Sequence, residues 1–337
     1  MDAVVLAGGY ATRLWPITKD RPKMFLPVEE TTVVDRLLAD LEADERIEDV
    51  YVSTNERFAG DFREHIAQSP YEKPQLSVEE TTEEDEKLGV VGALAQLIDR
   101  ENIDDDLLVV AGDNLVSFDL SAFVDFYDRT ETPALAAYDV GSRERATAYG
   151  LVELDGERVV DFQEKPDEPE STLVSIACYA FPADVLPQFE AYLAGDGNPD
   201  EPGWFLQWLQ TRRAVHAFEF DEAWFDIGSP EGYLDAVAWA LDGDSRIADE
   251  ATVQNATLDC AHAMPGATIE DATVANAVVF PEATIRDATV RRSIVDEHAT
   301  VAGVSIADST VGAHSSIDAI EEAPPQAIDG EDSATTD

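Results

Sequence analysis

A short segment near the start of the chain combines adjacent glycines with several cations. Leu6–Lys23 reads LAGGYATRLWPITKDRPK, and its cations are Arg13, Lys19, Arg21 and Lys23. Gly8 and Gly9 let backbone N–H groups approach phosphate oxygens closely, because no Cβ intervenes. Arg13 can donate two parallel hydrogen bonds, and Lys23 adds a mobile point charge. The segment predicts a loop that binds an anionic ligand; a turn with solvated cations is the alternative.

Two aspartates are candidate metal ligands. Asp113 stands in AGDN, directly after the aliphatic run Leu107–Ala111, and Asp226 stands in WFDIGSP among apolar neighbours that indicate partial burial. A partly buried acid needs a partner or a metal. Mg²⁺ prefers oxygen ligands and is usually held by one or two carboxylates together with substrate phosphates. We therefore predict that Asp113 and Asp226 hold Mg²⁺; the alternatives are a surface position for Asp113 and a helix-capping role for Asp226.

The elements that must position these residues alternate between strand and helix over residues 1–243. Strand patterns are at Ala3–Ala7, Val50–Ser53 and Leu107–Ala111, and helix patterns are at Val33–Leu41, Phe58–Ile66, Val91–Ile98 and Ser229–Leu241. This alternation predicts βαβ units and therefore an α/β domain with a Rossmann-like, mostly parallel sheet. Ligands of such sheets bind beyond the carboxyl ends of the strands, where we expect both the Gly8 loop and Asp113.

A 16-residue repeat replaces this alternation after Gly243. Its first column reads ATV at 251–253, ATI at 267–269, ATI at 283–285, ATV at 299–301 and SSI at 315–317. Further aliphatic residues fill each period at steps of 5, 5 and 6. Three inward aliphatic positions per period describe a triangular coil, so residues 250–319 are predicted to form a short left-handed parallel β-helix. Residues 320–337 are acidic and poor in apolar residues, which predicts a disordered tail.

The composition is strongly acidic. Among 337 residues, 71 are acidic and 22 are basic, giving a formal net charge of −49. Such self-repulsion is largely screened only at molar salt, where the Debye length is about 3 Å, so we predict a halophilic source and a cytoplasmic location. The missing basic patch disfavours nucleic-acid binding, and no apolar run approaches the ~20 residues of a membrane span. Cys178 and Cys260 provide no disulfide framework.

These residues together resemble the sugar-1-phosphate nucleotidyltransferase family, in its glucose-1-phosphate thymidylyltransferase and uridylyltransferase group. The family signature L-A-G-G-x-G-T-R-L-x-P-x-T-x-x-x-P-K-x-x-L-P-V is matched at nearly every fixed position by residues 6–28, LAGGYATRLWPITKDRPKMFLPV. The later family motifs follow in order as LGVVGAL (88–94), AGDN (111–114), YG (149–150), EKP (164–166) and WFDIG (224–228). The resemblance covers residues 1 to about 240, and the β-helix resembles that of several family members.

The resemblance implies a reaction and a set of roles. A sugar 1-phosphate oxygen attacks the α-phosphorus of a nucleoside triphosphate, and pyrophosphate leaves. Arg13 and Lys23 become the catalytic cations, and Asp113 and Asp226 become the ligands of Mg²⁺. The implied nucleotide-binding residues are Leu6, Ala7, Gly8, Gly9, Arg13, Gly89 and Gly112. The implied sugar-phosphate-binding residues are Tyr149, Gly150, Glu164, Lys165 and Ser175.

Departures from the family pattern leave the base and the sugar open. Ala11 replaces the usual Gly, residues 81–87 contain no Gln that aligns with the pyrimidine reader, and Ser175 replaces the usual Asn. The resemblance favours dTTP or UTP with glucose 1-phosphate. A mannose-1-phosphate guanylyltransferase is the first alternative, because Trp15 in RLWPIT resembles that branch.

Two further alternatives belong to other functional classes. His298 and His314 are one period apart and a histidine can act as a general base, so a second, acyltransferase activity in the β-helix is one alternative. We instead predict that the β-helix mediates homo-oligomerisation. A regulatory subunit that binds nucleotide without turnover should lack key cations or carboxylates, but Arg13, Lys23 and Asp113 are all present.

Overall fold

The computed structural model describes residues 1–79 and 88–319. The predicted disordered tail and segment 81–87 lie outside the described residues. The chain divides into two compact units, Met1–Asp244 and Ser245–Asp337. Within the described part of the chain, no helix has the length and apolar character needed to cross a membrane.

The first unit is an α/β domain. In the described residues its strands are β1 (Asp2–Leu6), β2 (Pro27–Val28), β3 (Thr31–Thr32), β4 (Val50–Asn55), β5 (Pro74–Glu79), β6 (Leu107–Ala111), β7 (Asn114–Val116), β8 (Ala134–Asp139), β9 (Gly150–Asp155), β10 (Arg158–Glu164), β11 (Leu173–Phe181), β12 (His216–Phe220) and β13 (Trp224–Asp226). Its helices are α1 (Val33–Ala43), α2 (Ala59–Gln68), α3 (Val90–Glu101), α4 (Leu120–Thr130), α5 (Arg143–Ala146), α6 (Pro187–Ala194), α7 (Pro202–Gln210) and α8 (Pro230–Ala240).

Nine of these strands form one sheet in the order β5-β4-β1-β6-β11-β8-β12-β10-β9. The first four are parallel, as predicted. The other half is mixed, because β11 runs antiparallel to β6 and β8, and β10 runs antiparallel to β12 and β9. The carboxyl ends of β5, β4, β1 and β6 consequently meet at one edge of the sheet.

The central strands are apolar on both faces. Val4 packs into one core with Leu94 and Phe181, whereas its neighbour Val5 packs into the opposite core with Leu37 and Phe62. Successive side chains of a strand point to opposite faces, so a strand with helices on both sides has to be apolar throughout. This is why the run in β1 and the run in β6 read as continuous aliphatic sequence.

Helix α8 begins as the sequence indicates. The Ser229 side chain accepts a hydrogen bond from Gly232 N at 3.1 Å, and Pro230 occupies the first turn. A serine oxygen in this position satisfies an N–H that has no partner within the helix. The cap therefore fixes where the chain turns away from β13, which carries Asp226.

The second unit is the predicted 16-residue coil. Its strands are β14 (Arg246–Ile247), β15 (Thr252–Gln254), β16 (Thr257–Ala263), β17 (Thr268–Glu270), β18 (Thr273–Val279), β19 (Thr284–Arg286), β20 (Thr289–Arg291), β21 (Ile294–Val295), β22 (Thr300–Ala302), β23 (Ser305–Ala307), β24 (Thr310–Val311) and β25 (Ser316–Asp318). All pair in parallel; Ile269, for example, pairs with Ile285, which pairs with Val301. These side chains are fully buried. Because β14 already pairs with β16, the coil begins before the predicted residue 250. The left-handed sense stays a prediction.

Candidate active site

The glycine loop follows β1 and turns through a short 3₁₀ helix, Thr12–Leu14, that carries Arg13. Ala11 precedes this helix with φ 51°, in the left-handed region. Glycine adopts that conformation without steric cost, which explains why glycine is usual at this position and alanine is a departure. Arg13 is exposed and extends toward Gly228; a Cβ built on Gly228 would lie 2.8 Å from Arg13 Nη2.

Lys23 and Asp113 form a largely buried ion pair. The Lys23 ammonium contacts Asp113 Oδ2, with side chains that are 11% and 18% exposed. Burial alone would raise the pKa of Asp113, but the nearby Lys23 charge and hydrogen bonds hold that pKa below its ordinary value. A Cβ built on Gly9 would lie 3.8 Å from Lys23 Nζ. The adjacent glycine loop therefore approaches the same ammonium group.

Asp226 is brought to Asp113 by strand pairing. β13 runs antiparallel to β7 with Asp226 opposite Asn114, and Ile227 N donates to Asp113 O at 3.0 Å. Gly228 N donates to Asp226 Oδ1 at 2.8 Å. Burial and then the negative charge of Asp113 raise the pKa of Asp226. Two carboxylates that repel each other in this way are well suited to share a cation.

The donor set fits Mg²⁺. Mg²⁺ accepts one or two carboxylates and completes its ligand shell with phosphates and waters. In residues 1–79 and 88–319, no group of three or more His, Cys, Asp or Glu side chains is arranged to hold a metal ion. A site with only Asp113 and Asp226 would thus depend on substrate oxygens, and Mg²⁺ binding stays a prediction.

Three of the predicted sugar-phosphate-binding residues, Gly150, Glu164 and Ser175, meet where three strands pair. Gly150 pairs with Glu164 on one side and with Ser175 on the other. Ser175 is buried, and the register of β11 shifts directly after it, which leaves an irregular segment at SIACY. Tyr149 packs its ring edge-on against Trp224 at 5.0 Å between centroids. Burial and then the charge of Asp226 raise the pKa of Tyr149, and Asp113 contributes in the same direction.

The Glu164 carboxylate occupies space that two glycines leave open. A Cβ would lie 3.0 Å from Glu164 Oε2 if built on Gly150, and 1.5 Å from it if built on Gly203. Burial raises the pKa of Glu164 to about 7. Lys165 is directed instead to Glu201, with which it forms an exposed ion pair. Gly203 is a functional candidate that the sequence motifs did not identify.

The other predicted nucleotide-binding residues have clear structural contacts. The Leu6 carbonyl accepts from Gly112 N at 2.9 Å, and the Ala7 carbonyl accepts from Thr54 Oγ1 at 3.2 Å. A Cβ built on Gly112 would lie 3.1 Å from Leu6 O, so close packing of the β1 and β6 ends favours glycine. Gly89 has φ 72° and precedes α3, and a Cβ there would lie 2.2 Å from Pro199 O. Ligand contacts for these residues stay predictions.

One residue at the same edge was missed. Glu79 ends β5, and a Cβ built on Gly8 would lie 2.8 Å from Glu79 Oε1. Ser53 Oγ donates to Glu79 Oε1 at 3.0 Å, while burial raises the pKa of this carboxyl. The available signal was that an acid stands at the end of a strand-like run, QLSVE.

Comparison with known proteins shows the family of this chain. Residues 2–243 match the family described as "Nucleotidyl transferase". The chain belongs to the nucleotidyl transferase family. This match covers the unit that carries all the predicted site residues, whereas the coil lies beyond it.

Two relatives and one crystal structure illustrate the similarity. A candidate mannose-1-phosphate guanyltransferase of Sulfolobus acidocaldarius is 31% identical over 235 residues, which are 69% of this chain and 61% of that protein. The bifunctional protein GlmU of Methanocaldococcus jannaschii is 26% identical over 246 residues, covering 72% and 55%. The chain therefore spans little more than half the length of these relatives. A candidate glucose-1-phosphate thymidylyltransferase from Bacillus anthracis shares the fold, with a TM-score of 0.63 at 23% identity over 72% of this chain and 96% of that one.

Proposed function

We propose that this nucleotidyl transferase joins a nucleoside triphosphate to a sugar 1-phosphate, giving a nucleoside-diphosphate sugar and pyrophosphate. The observation that carries the proposal is the convergence of Arg13 and Lys23 with the carboxylates Asp113 and Asp226. In an acidic protein, a cation cluster of this kind is suited to ligands that bring several negative charges to one point.

Positioning and charge neutralisation account for most of the catalysis. The sugar phosphate is already an anionic nucleophile, so the reaction needs no general base, and the main obstacle is repulsion between two polyanions. Lys23, held by its ion pair with Asp113, is placed to bind the α-phosphate and the approaching sugar phosphate. Arg13 is exposed and can donate to the triphosphate and to the charge that develops on the leaving pyrophosphate.

Mg²⁺ on Asp113 and Asp226 would neutralise phosphate charge when bound there. A cation bound between Asp113 and Asp226 would offset the repulsion between the two carboxylates, which adds to burial in raising the pKa of Asp226. In the predicted sugar pocket, the Glu164 carboxylate can accept hydrogen bonds from sugar hydroxyls, and the Tyr149 hydroxyl can donate to them.

Two pairs of substrates are candidates for this site. The family signature favoured dTTP or UTP with glucose 1-phosphate. A guanylyl donor with mannose 1-phosphate is the second candidate, because the relative from Sulfolobus acidocaldarius carries that name.

Pyrophosphate release tests the proposal directly. We would assay GTP, UTP, dTTP, ATP and CTP, each with glucose 1-phosphate and mannose 1-phosphate, in molar KCl with Mg²⁺. Release should require both substrates. Absence of turnover with every pair would contradict the proposed function.

A matched pair of variants tests the role of the cations. Arg13→Ala should lower kcat by about 10²–10³, the usual effect of removing a donor to developing charge. Lys19→Ala removes an exposed cation from the same loop and should leave kcat nearly unchanged. Equal activity of the two variants would remove Arg13 from the mechanism.

A further inference from the structure

The two glycines of the loop face groups of opposite charge. The Cβ position of Gly9 is 3.8 Å from the Lys23 ammonium nitrogen, whereas that of Gly8 is 2.8 Å from a Glu79 carboxylate oxygen. Phosphate oxygens are attracted to the first side and repelled from the second. If a nucleotide lies across this loop, its phosphates belong beside Gly9 and Lys23, and not beside Gly8 as the sequence suggested. The part of the nucleotide beside Gly8 and Glu79 must instead offer hydrogen-bond donors.

Glu79 is held firmly enough to recognise a ligand. Its carboxylate is at the carboxyl end of β5, next to the end of β4, where Ser53 donates to Oε1 at 3.0 Å. Asn55 at the end of β4 donates to the Gly8 carbonyl at 2.9 Å, which fixes the loop against the same edge. Apart from the Ser53 hydroxyl, the influences on the Glu79 pKa are burial, which raises it, and the more distant charge of Arg100, which lowers it. A ligand that donates to this carboxylate would therefore favour its ionised form.

The nucleobases differ in what they present to a carboxylate. Guanine carries two adjacent donors, N1–H and the N2 amino group, that match both oxygens of an ionised carboxylate. Uracil and thymine carry one donor, N3–H, between two carbonyl acceptors that would repel it. Adenine and cytosine pair an amino donor with a ring-nitrogen acceptor. A site that leaves buried polar groups unpaired rejects the wrong ligand strongly.

We propose that Glu79 is a specificity-determining residue that accepts two hydrogen bonds from guanine and selects a guanosine triphosphate as the nucleotidyl donor. The assignment rests on the proposed nucleotidyl transfer. It favours guanine over the pyrimidines that the signature alone favoured.

Inosine triphosphate provides the sharpest probe, because it lacks only the N2 amino group of GTP. Wild-type protein should use GTP at least about 100-fold better than UTP or dTTP by kcat/KM. It should use GTP about 10- to 100-fold better than inosine triphosphate, as expected for one hydrogen bond to a charged group. In Glu79→Gln, an amide replaces one acceptor, and the ratio between GTP and inosine triphosphate should fall to within about 3-fold.

Glu56→Gln is the matched control, since Glu56 is exposed and directly follows β4 near the same edge; both ratios should stay as in the wild type. Preference for UTP or dTTP, equal use of GTP and inosine triphosphate, or an unchanged ratio in Glu79→Gln would each overturn the proposal. If no pair of substrates turns over, the proposed function fails separately. In that case, calorimetry would measure the affinities for GTP, inosine triphosphate and UTP. If Glu79 recognises guanine, the affinities must still fall in that order.

Discussion

Replacing Glu164 by glutamine should change how the stability of this protein depends on pH. Glu164 is 9% exposed, and burial raises its pKa from 4.5 to about 7. At about 1.4 kcal/mol per pKa unit, this shift corresponds to about 3 kcal/mol. A carboxyl group with a raised pKa in the folded state favours folding when protonated. Its contribution is full below about pH 4.5 and is lost as pH rises through about 7.

Glutamine is neutral in both the folded and the unfolded state, so Glu164→Gln removes this pH dependence. Relative to wild type, the variant should be more stable by about 1 kcal/mol or less at about pH 5 and by about 3 kcal/mol at about pH 8. Urea unfolding at constant molar KCl measures both values while screening the net charge of −49.

Glu153→Gln is the control, because it also removes one negative charge but from an exposed position on β9. Its stability relative to wild type should differ between the two pH values by less than about 0.5 kcal/mol. If Glu164→Gln changed stability equally at both pH values, burial would not be what controls the Glu164 carboxyl, and the reasoning would fail.

Two other perturbations test the space around Glu164 and the ion pair between Lys23 and Asp113. Gly203→Ala places a Cβ 1.5 Å from a Glu164 oxygen, so KM for the sugar 1-phosphate should rise about 10-fold or more while KM for the nucleotide stays constant. Gly60→Ala, also at the second residue of a helix but with no atom within 4 Å, should change neither KM value. Lys23→Met leaves the partly buried Asp113 without its cation and should lower the free energy of unfolding by about 3–5 kcal/mol in urea, and adding Asp113→Asn should restore much of it. Failure of that rescue would mean that lost packing, rather than the unpaired charge, causes the effect.

Local sequence patterns were sufficient for much of the fold. The strand predicted at Leu107–Ala111 has those bounds in the structure, and Ser229 caps its helix as expected. The 16-residue step in the C-terminal unit also predicts the pairing of Ile269 with Ile285 and of Ile285 with Val301. In these cases the periodicity of apolar residues records directly which side chains are buried.

Long-range contacts were not readable in this way. The insertion of antiparallel β11 between β6 and β8 depends on which strands become neighbours, and hydrophobic runs do not encode that. An acid at the end of a strand-like run did not single out Glu79 among 71 acids, because what distinguishes Glu79 is its proximity to Gly8. The space at Gly203 is likewise defined by a carboxylate on another element. Motif matching identifies residues within one segment, whereas these two sites are formed between segments.

The coil of the second unit constrains how this protein can change in length. Each strand of the column at Ile285 pairs in register with the equivalent strand one turn away, so every inward side chain stacks on a similar one. Inserting or deleting a few residues would shift all later rungs and direct aliphatic groups to solvent. Gain or loss of a whole turn preserves every stack. We therefore expect the lengths of this unit in homologues to differ by whole turns of the coil.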